Sequence, residues 1–271
     1  MITVLGSTGF IGSYLVKKLQ ERKIVYYSPG RAENLSHKNL GDIIYCIGLT
    51  ADFRTRPLET VEAHVCKLRN VLQECEFESL TYLSSTRLYK SNGGLAKEDD
   101  CLHVEPSNPG DLYNISKALG ESLLLASEPR ARVARLSSVY GADWHSENFL
   151  STLFRDAVTN GRIMLQTALD SEKDYISVRD AVELLIKIAR GGRERLYNVA
   201  SGNNVSNFAL TKRLSELTGC AIEVAPDAPR HAFPQINVER IRNEFEFEPS
   251  FVLDDMETLV ESYKARARES R

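Results

Sequence analysis

Tyr113 and Lys117 stand four residues apart, downstream of Leu80-Thr81-Tyr82-Leu83 and Ser84-Ser85-Thr86. Residues at that spacing share one face of a helix. A free phenol titrates near pH ~10 and is a poor base at neutrality. A neighbouring ammonium favours the phenolate and brings that value down. Leu80–Leu83 reads as a strand, so Ser85 falls at its end. A hydroxyl there can hold a reacting oxygen and stabilise charge on it, while Tyr113 exchanges the proton. A Tyr and a Lys four apart are common on surface helices. Their place in the order of the chain gives this pair its weight.

That order begins with Gly6-Ser7-Thr8-Gly9-Phe10-Ile11-Gly12. Ile2–Leu5 before it reads as a buried parallel strand. Tyr14–Leu19 after it has helical apolar spacing. Strand, glycine loop and helix form the context in which such a loop cradles phosphates. Gly6 would make the tight turn, Gly9 would let backbone approach a pyrophosphate, and Gly12 would let helix and strand pack closely. The helix N-terminus adds free N–H groups and partial positive charge. A dinucleotide site and an activated phenol together imply transfer of a hydride and a proton between a nicotinamide and a carbinol carbon.

The next strand, Ile24–Tyr27, runs into Ser28-Pro29-Gly30-Arg31. An acidic residue here would bind the adenosine ribose hydroxyls and favour NAD(H). The chain has none, and Arg31 is placed to pair with a 2′-phosphate. This favours NADP(H), with NAD(H) open. Ile43–Thr50 reads as the following strand, with Gly48 and Thr50 at its C-terminal end, where open α/β sheets bind ligands. The segment between Arg31 and Asp42 is too short for another helix and strand, so the sheet is expected to be trimmed near its third strand.

With these motifs in order, the chain resembles the extended short-chain dehydrogenase/reductase superfamily, especially its nucleotide-sugar epimerase, dehydratase and reductase branch. The resemblance runs through Gly6–Gly12, Tyr113-x-x-x-Lys117 with Glu121 following, and Ser85 four residues before Tyr89. It continues through Arg135–Gly141, Lys173–Asp180 and Tyr197–Gly202. It implies that Ser85, Tyr113 and Lys117 are catalytic. It also implies that Lys117 binds the nicotinamide ribose and that the C-terminal part holds a nucleotide diphosphate. Family members often dimerise through the helix bearing Tyr113 and the one before it, which implies a homodimer. The stripe Val61, Val65, Leu68, Leu72 reads equally as core or as that seam.

Several positions depart from the family pattern. Ser138 stands where many members carry an Asn that contacts the nucleotide sugar, and Ala142 where Pro is usual. His64 falls near an Asn that supports the active site in relatives, and reads here as a core or interface histidine. Dehydratases carry an acidic pair directly after the hydroxyl. Here Thr86 and Arg87 follow Ser85, so dehydration is disfavoured, and a decarboxylase would also want an acid nearby. Thr86 and Arg87 are expected near substrate. Arg87 would meet a phosphate or a substrate carboxylate, or it is surface charge. Asn148 and Phe149, at the start of an expected helix, are read as nucleotide contacts. Arg230 and Arg240 are read as diphosphate contacts.

The 271 residues suffice for a sizeable core and one or two domains. Thirty-four basic against 37 acidic residues, a net charge of −3, argue against a nucleic-acid surface. No apolar run is long enough to span a membrane, and no leader pattern precedes Ile2. Five cysteines without CxxC spacing argue against a disulfide framework or a metal site and fit the cytoplasm. The expected fold is α/β, a doubly wound, mostly parallel Rossmann sheet with a smaller C-terminal substrate-binding region. Residues 1–140, rejoined by 175–200, would bind the dinucleotide. Residues 141–174 and 201–271 would bind substrate. The expected activity is an NAD(P)-dependent oxidoreductase on a nucleotide-activated sugar, first a 4-keto reductase. The alternatives are a C4 epimerase or a non-catalytic dinucleotide-binding sensor or assembly protein.

Overall fold

The computed structural model describes residues 1–50, 52–128 and 130–269. In chain order it holds β1 (Ile2–Leu5), α1 (Phe10–Glu21), β2 (Tyr26–Tyr27), β3 (Asp42–Tyr45), α2 (Pro57–Val61) and α3 (Lys67–Glu74). There follow β4 (Ser79–Ser85), β5 (Leu95–Ala96), α4 (Leu112–Ser127), β6 (Ala131–Leu136), β7 (Ser138–Tyr140), α5 (Phe149–Thr159) and β8 (Arg162–Leu165). The chain then forms β9 (Glu172–Ser177), α6 (Val178–Gly191), β10 (Leu196–Val199), β11 (Asn204–Ser206), α7 (Asn207–Thr218) and β12 (Ala221–Val224). It ends with β13 (Gln235–Ile236), α8 (Glu239–Phe245) and α9 (Val252–Glu269).

Six strands form one sheet in the order β10-β6-β4-β3-β1-β2, and every pair in it is parallel. Both faces are covered, and the strand residues sort between them with period two. Ile2, Val4 and Ile44 pack with Leu15 and Leu19 of α1 and with the apolar side of α6. Leu5, Ile43 and Tyr45 face the other way, toward Leu68 and Val71 of α3 and Leu124 of α4. This is the doubly wound arrangement expected of strands alternating with helices. The sheet ends at β2, only two residues long, and 28–41 add no helix. The trimming inferred from the short Arg31–Asp42 segment is present.

A separate apolar cluster joins α5, α7 and α9 with β8, Tyr140 and Tyr175. Ser206 caps α7, its hydroxyl accepting from Ala209 N at 3.2 Å. Among the described residues no helix is long and apolar enough to cross a membrane. Nor do three or more His, Cys, Asp or Glu side chains converge as a metal site would require.

The helix that runs from Pro57 to Glu74 is continuous but not uniform. Glu62–Cys66 form a π-helical turn between α2 and α3. Such insertions re-aim a side chain and gather at functional sites. His64 lies within this turn.

Candidate active site

The C-terminal ends of β1, β3, β4 and β6 open into a cavity of about 400 Å³. Gly9, Phe10, Ile11 and Gly12 line one side, and Gly48 and Thr50 lie beyond the end of β3. Ser85, Thr86, Arg87, Tyr113 and Lys117 line the middle. Ser138, Asn148, Phe149, Lys173, Asp174 and Phe233 close the far side.

The glycine loop fits a phosphate group. Gly6 has φ +85°, a conformation that L side chains rarely adopt. A Cβ on Gly12 would lie 2.2 Å from the Gly6 carbonyl, so only glycine admits this approach. Gly9 caps α1 without a side-chain acceptor, leaving the first N–H groups of the helix to a ligand. Ser7 and Thr8 lie on the loop. Ser28 and Arg31 lie beyond the cavity, at the end of β2 where the adenosine half of a dinucleotide would reach. Both are exposed, and Arg31 makes no ion pair within the described residues.

Ser85 ends β4, and its Oγ accepts the Arg87 N–H at 3.2 Å. Its own proton is left for the Tyr113 phenol or a ligand oxygen. Tyr113 is buried, packed at 5.5 Å between ring centroids against Phe53 and edge-on at 5.4 Å to His64. Burial raises its pKa, while the Ser85 hydroxyl and the Arg87 guanidinium pull it back. Lys117 is expected to be the cation that tunes the phenol. Instead its ammonium donates to Leu83 O at 2.8 Å and lies 4.8 Å from the Tyr82 ring centroid. Burial pushes it down to about 7, so it is the softer charge of the two. The cation beside Tyr113 is Arg87, 5.8 Å from the ring centroid.

His64 is fully buried, as a core histidine should be, but its contacts are those of the site. Leu49 N donates to Nε2 at 3.2 Å, and Nδ1 lies 2.8 Å from Ser116 Oγ. Because Nε2 accepts, the proton sits on Nδ1 and is donated to Ser116. Ser116 in turn donates to Tyr113 O at 2.9 Å. One neutral imidazole therefore ties the Gly48–Thr50 loop to the helix bearing Tyr113. Burial, then the charge of Lys117, push its pKa down to about 3.

Asp111 directly precedes α4, but its carboxylate does not cap the helix. Oδ1 accepts from Asn114 Nδ2 at 3.2 Å and Oδ2 from Glu105 N at 3.0 Å. Arg230 is not brought to the cavity. It is exposed and paired with Asp170 at 2.8 Å. Arg240 is also spoken for, by Glu98 at 3.7 Å, by Asp99, and by Leu196 O at 3.0 Å. Those two diphosphate contacts are corrected by long-range carboxylates.

Lys173 is the cavity cation that reading by motif passed over. It lies 4.8 Å from the Phe149 ring centroid and 5.2 Å from that of Tyr175, and makes no ion pair among the described residues. Burial, then Arg87, lower its pKa to about 8. Its signal was available as the basic residue beside Asp174. The carboxylate of Asp174 accepts from Ser201 N, Ser201 Oγ and Gly202 N at 2.7–2.9 Å. It is therefore not free to neutralise Lys173.

The sequence profile of the NAD dependent epimerase/dehydratase family matches residues 2–200. The chain belongs to that family. Within known members, UDP-glucuronic acid decarboxylase 3 of Arabidopsis thaliana is 23% identical over 284 aligned residues, covering 87% of this chain and 81% of that one. The dTDP-4-dehydro-6-deoxyglucose reductase of Escherichia coli is 25% identical, covering 77% of this chain and 68% of that one. The solved structure of MoeE5 in complex with UDP-glucose and NAD superposes with a TM-score of 0.82 at 20% identity, over 98% of this chain and 99% of that one. This epimerase/dehydratase-family enzyme thus has the fold and family that its ordered motifs implied, with NAD(P) as the cofactor class.

Proposed function

We propose that this family member is an NAD(P)-dependent oxidoreductase acting at C4 of a nucleotide-activated sugar, and that its direction is reduction of a 4-keto group by NADPH. When bound, the nicotinamide supplies the hydride. Ser85 holds the carbonyl oxygen with its free O–H, and Tyr113 delivers the proton as charge develops there. Arg87 and Lys117 keep positive charge beside that oxygen. Gly6–Gly12 would carry the pyrophosphate, Gly48 and Thr50 would flank the nicotinamide side, and Lys117 would also reach its ribose. Thr86, Ser138, Asn148 and Phe149 would contact the nucleotide sugar. Lys173 takes the diphosphate role in place of Arg230. The division of labour between 1–140 with 175–200 and the remaining segments belongs to the same proposal, as does a homodimer through the α2–α4 face.

The observation that carries this proposal is the donor set of the cavity. Among the described residues the only carboxylate lining it is Asp174, which is engaged. Dehydration and decarboxylation both call for chemistry beyond C4, and among the described lining residues no free carboxylate stands ready for it. Exchange at one carbon needs only Ser85, Tyr113 and the cofactor. The named activities of both relatives, on UDP- and dTDP-linked sugars, agree with a nucleotide-sugar substrate. The exposed, unpaired Arg31 supports NADPH.

Denaturing the freshly purified protein and identifying the released nucleotide by mass spectrometry tests the direction. Little retained cofactor, with NADPH bound in preference to NADH, is expected. Stoichiometric, tightly held NAD would instead favour a C4 epimerase, which regenerates its cofactor each cycle. Tyr113→Phe is expected to cut turnover by roughly 10²- to 10⁴-fold while cofactor binding persists. Unchanged behaviour would identify a sensor.

A further inference from the structure

Arg87 is a cation without a counter-charge at the centre of the reactive cavity. It lies two residues beyond Ser85, and its backbone N–H holds Ser85 Oγ, so guanidinium and hydroxyl are positioned together. The guanidinium lies 5.2 Å from the Phe53 ring centroid and 5.8 Å from that of Tyr113. Its polar bonding is poor. Nη2 donates to Gly110 O at 3.3 Å, and Nε is buried with no partner. Among the described residues no carboxylate lies within ion-pair distance. Asp111, the acid whose charge reaches it, has both oxygens engaged. Arg54, 4.5 Å from the Phe53 ring centroid, and Lys173 add further positive charge around it. A half-buried cation left in this state costs free energy unless a ligand completes it.

We propose that Arg87 is the subsite for a carboxylate borne by the sugar, so that the substrate is a nucleotide-linked uronic acid or its 4-keto form rather than a neutral hexose. This deepens the nucleotide-sugar proposal above and rests on it. In a pyranose the diphosphate at C1 lies across the ring from C4. With the C4 oxygen held by Ser85 and Tyr113, the diphosphate is carried away toward Lys173 on β9. The substituents flanking C4 are the C3 hydroxyl, which is neutral, and C6 on C5. Only at C6 does oxidation place an anion beside C4. The planar guanidinium fork matches a carboxylate in a way that an ammonium does not. The stacking on Phe53 and Tyr113 leaves the edge of that fork for it.

The test is calorimetric titration of the protein saturated with NADP⁺, as wild type, Arg87→Gln and Arg87→Lys. The probes are UDP, UDP-glucose and UDP-glucuronate, with the three dTDP counterparts for the other base. Wild type is expected to bind the glucuronate-linked nucleotide roughly 10- to 100-fold more tightly than the glucose-linked one of the same base, the range for a charge-assisted pair. Arg87→Gln is expected to erase that difference and leave the nucleoside diphosphate and the glucose form unchanged. Arg87→Lys should restore part of it. Retained NADP⁺ affinity verifies that the variants are folded. Equal or weaker binding of glucuronate by wild type overturns the carboxylate subsite and leaves the nucleotide-sugar proposal standing. Loss of UDP and dTDP themselves in Arg87→Gln overturns it in favour of a diphosphate contact. Failure of every nucleotide to bind the NADP⁺-loaded protein overturns both.

Discussion

Arg135, which is buried, and Arg87, which is half-buried, lie on or beside the same sheet, yet their surroundings are opposite. Arg135 is met on three sides. Nη2 reaches Glu121 Oε2 at 2.6 Å, Nε reaches Oε1 at 3.0 Å, and Nη1 donates to Tyr89 OH at 2.6 Å and Glu98 O at 3.0 Å. The network continues through Tyr89 OH to Asn198 Oδ1 at 2.9 Å, and Glu98 Oε1 accepts Asn198 N at 3.0 Å. Every charge there is answered within the chain. Arg87, with Lys173 beyond it, has been given rings and a single long hydrogen bond. Completed polar clusters of this kind hold elements together, and incomplete ones mark where a ligand must finish the structure. Tyr113, Lys117 and Glu121 lie on one row of α4, so one helix serves both clusters.

The sharpest way to break this comparison is to unpair Arg135. Glu121→Ala leaves its guanidinium buried without a carboxylate and is expected to cost about 3–5 kcal/mol of stability, read from urea unfolding. Arg87→Met removes a cation that was never paired. The ligand-free protein is expected to be no less stable for it. Equal losses in the two variants would dissolve the distinction between the clusters.

A smaller effect belongs to Lys173. Lys173→Met should weaken binding of UDP or dTDP by roughly 10- to 100-fold, the range for a lost charge-assisted contact. Stability without nucleotide should not fall. A stability loss with nucleotide affinity intact would make Lys173 a packing residue of the β9 edge.

These two clusters also divide what the chain reveals before it is folded. The glycine loop and the row Tyr113–Lys117–Glu121 are written in local spacing, because a turn or one helix face places them whatever else happens. Ser85 follows from the end of one strand. The six parallel strands were legible for the same reason, since buried strands and amphipathic helices alternate visibly. Pairing between distant residues was not. Asp170 neutralises Arg230, and Asp99 and Glu98 neutralise Arg240, across gaps that carry no periodic signal. His64 was visible as a residue, but its bond to Leu49 N joins a π turn to a loop 15 residues away, which no periodicity signals. Lys117 near Tyr113 was a sound inference from i,i+4 geometry. Its diversion to Leu83 O depends on how α4 docks on β4.

His64 offers a pH handle on the completed side of the comparison. It is neutral in the fold, with a pKa pushed from the ordinary 6.5 to about 3 by burial and Lys117. Between those values the unfolded chain takes up a proton that the folded one refuses. Stability is therefore full above pH 6.5 and falls as pH drops toward 3, by about 1.4 kcal/mol for each pH unit in that window. His64→Asn should flatten that part of the stability profile relative to wild type. Because the imidazole links Leu49 to the helix under Tyr113, the variant should also lower kcat more than it raises KM, and an unaltered kcat would reduce His64 to packing.

The smallest effect is expected at Arg230, and its smallness is informative. A cationic residue in the C-terminal loop of a nucleotide-sugar enzyme invites assignment to the diphosphate. Here the guanidinium is exposed and faces Asp170 at 2.8 Å, outside the cavity. An exposed ion pair is worth about 0–1 kcal/mol. Arg230→Ala should therefore move stability by less than about 0.5 kcal/mol and leave UDP and dTDP affinity where it was. Set beside Lys173→Met in the same titration, it asks whether an answered surface cation and an unanswered buried one differ in function as they do in surroundings. A large loss of nucleotide affinity in Arg230→Ala would mean that the loop swings inward on binding and that Asp170 only parks the guanidinium in the ligand-free state.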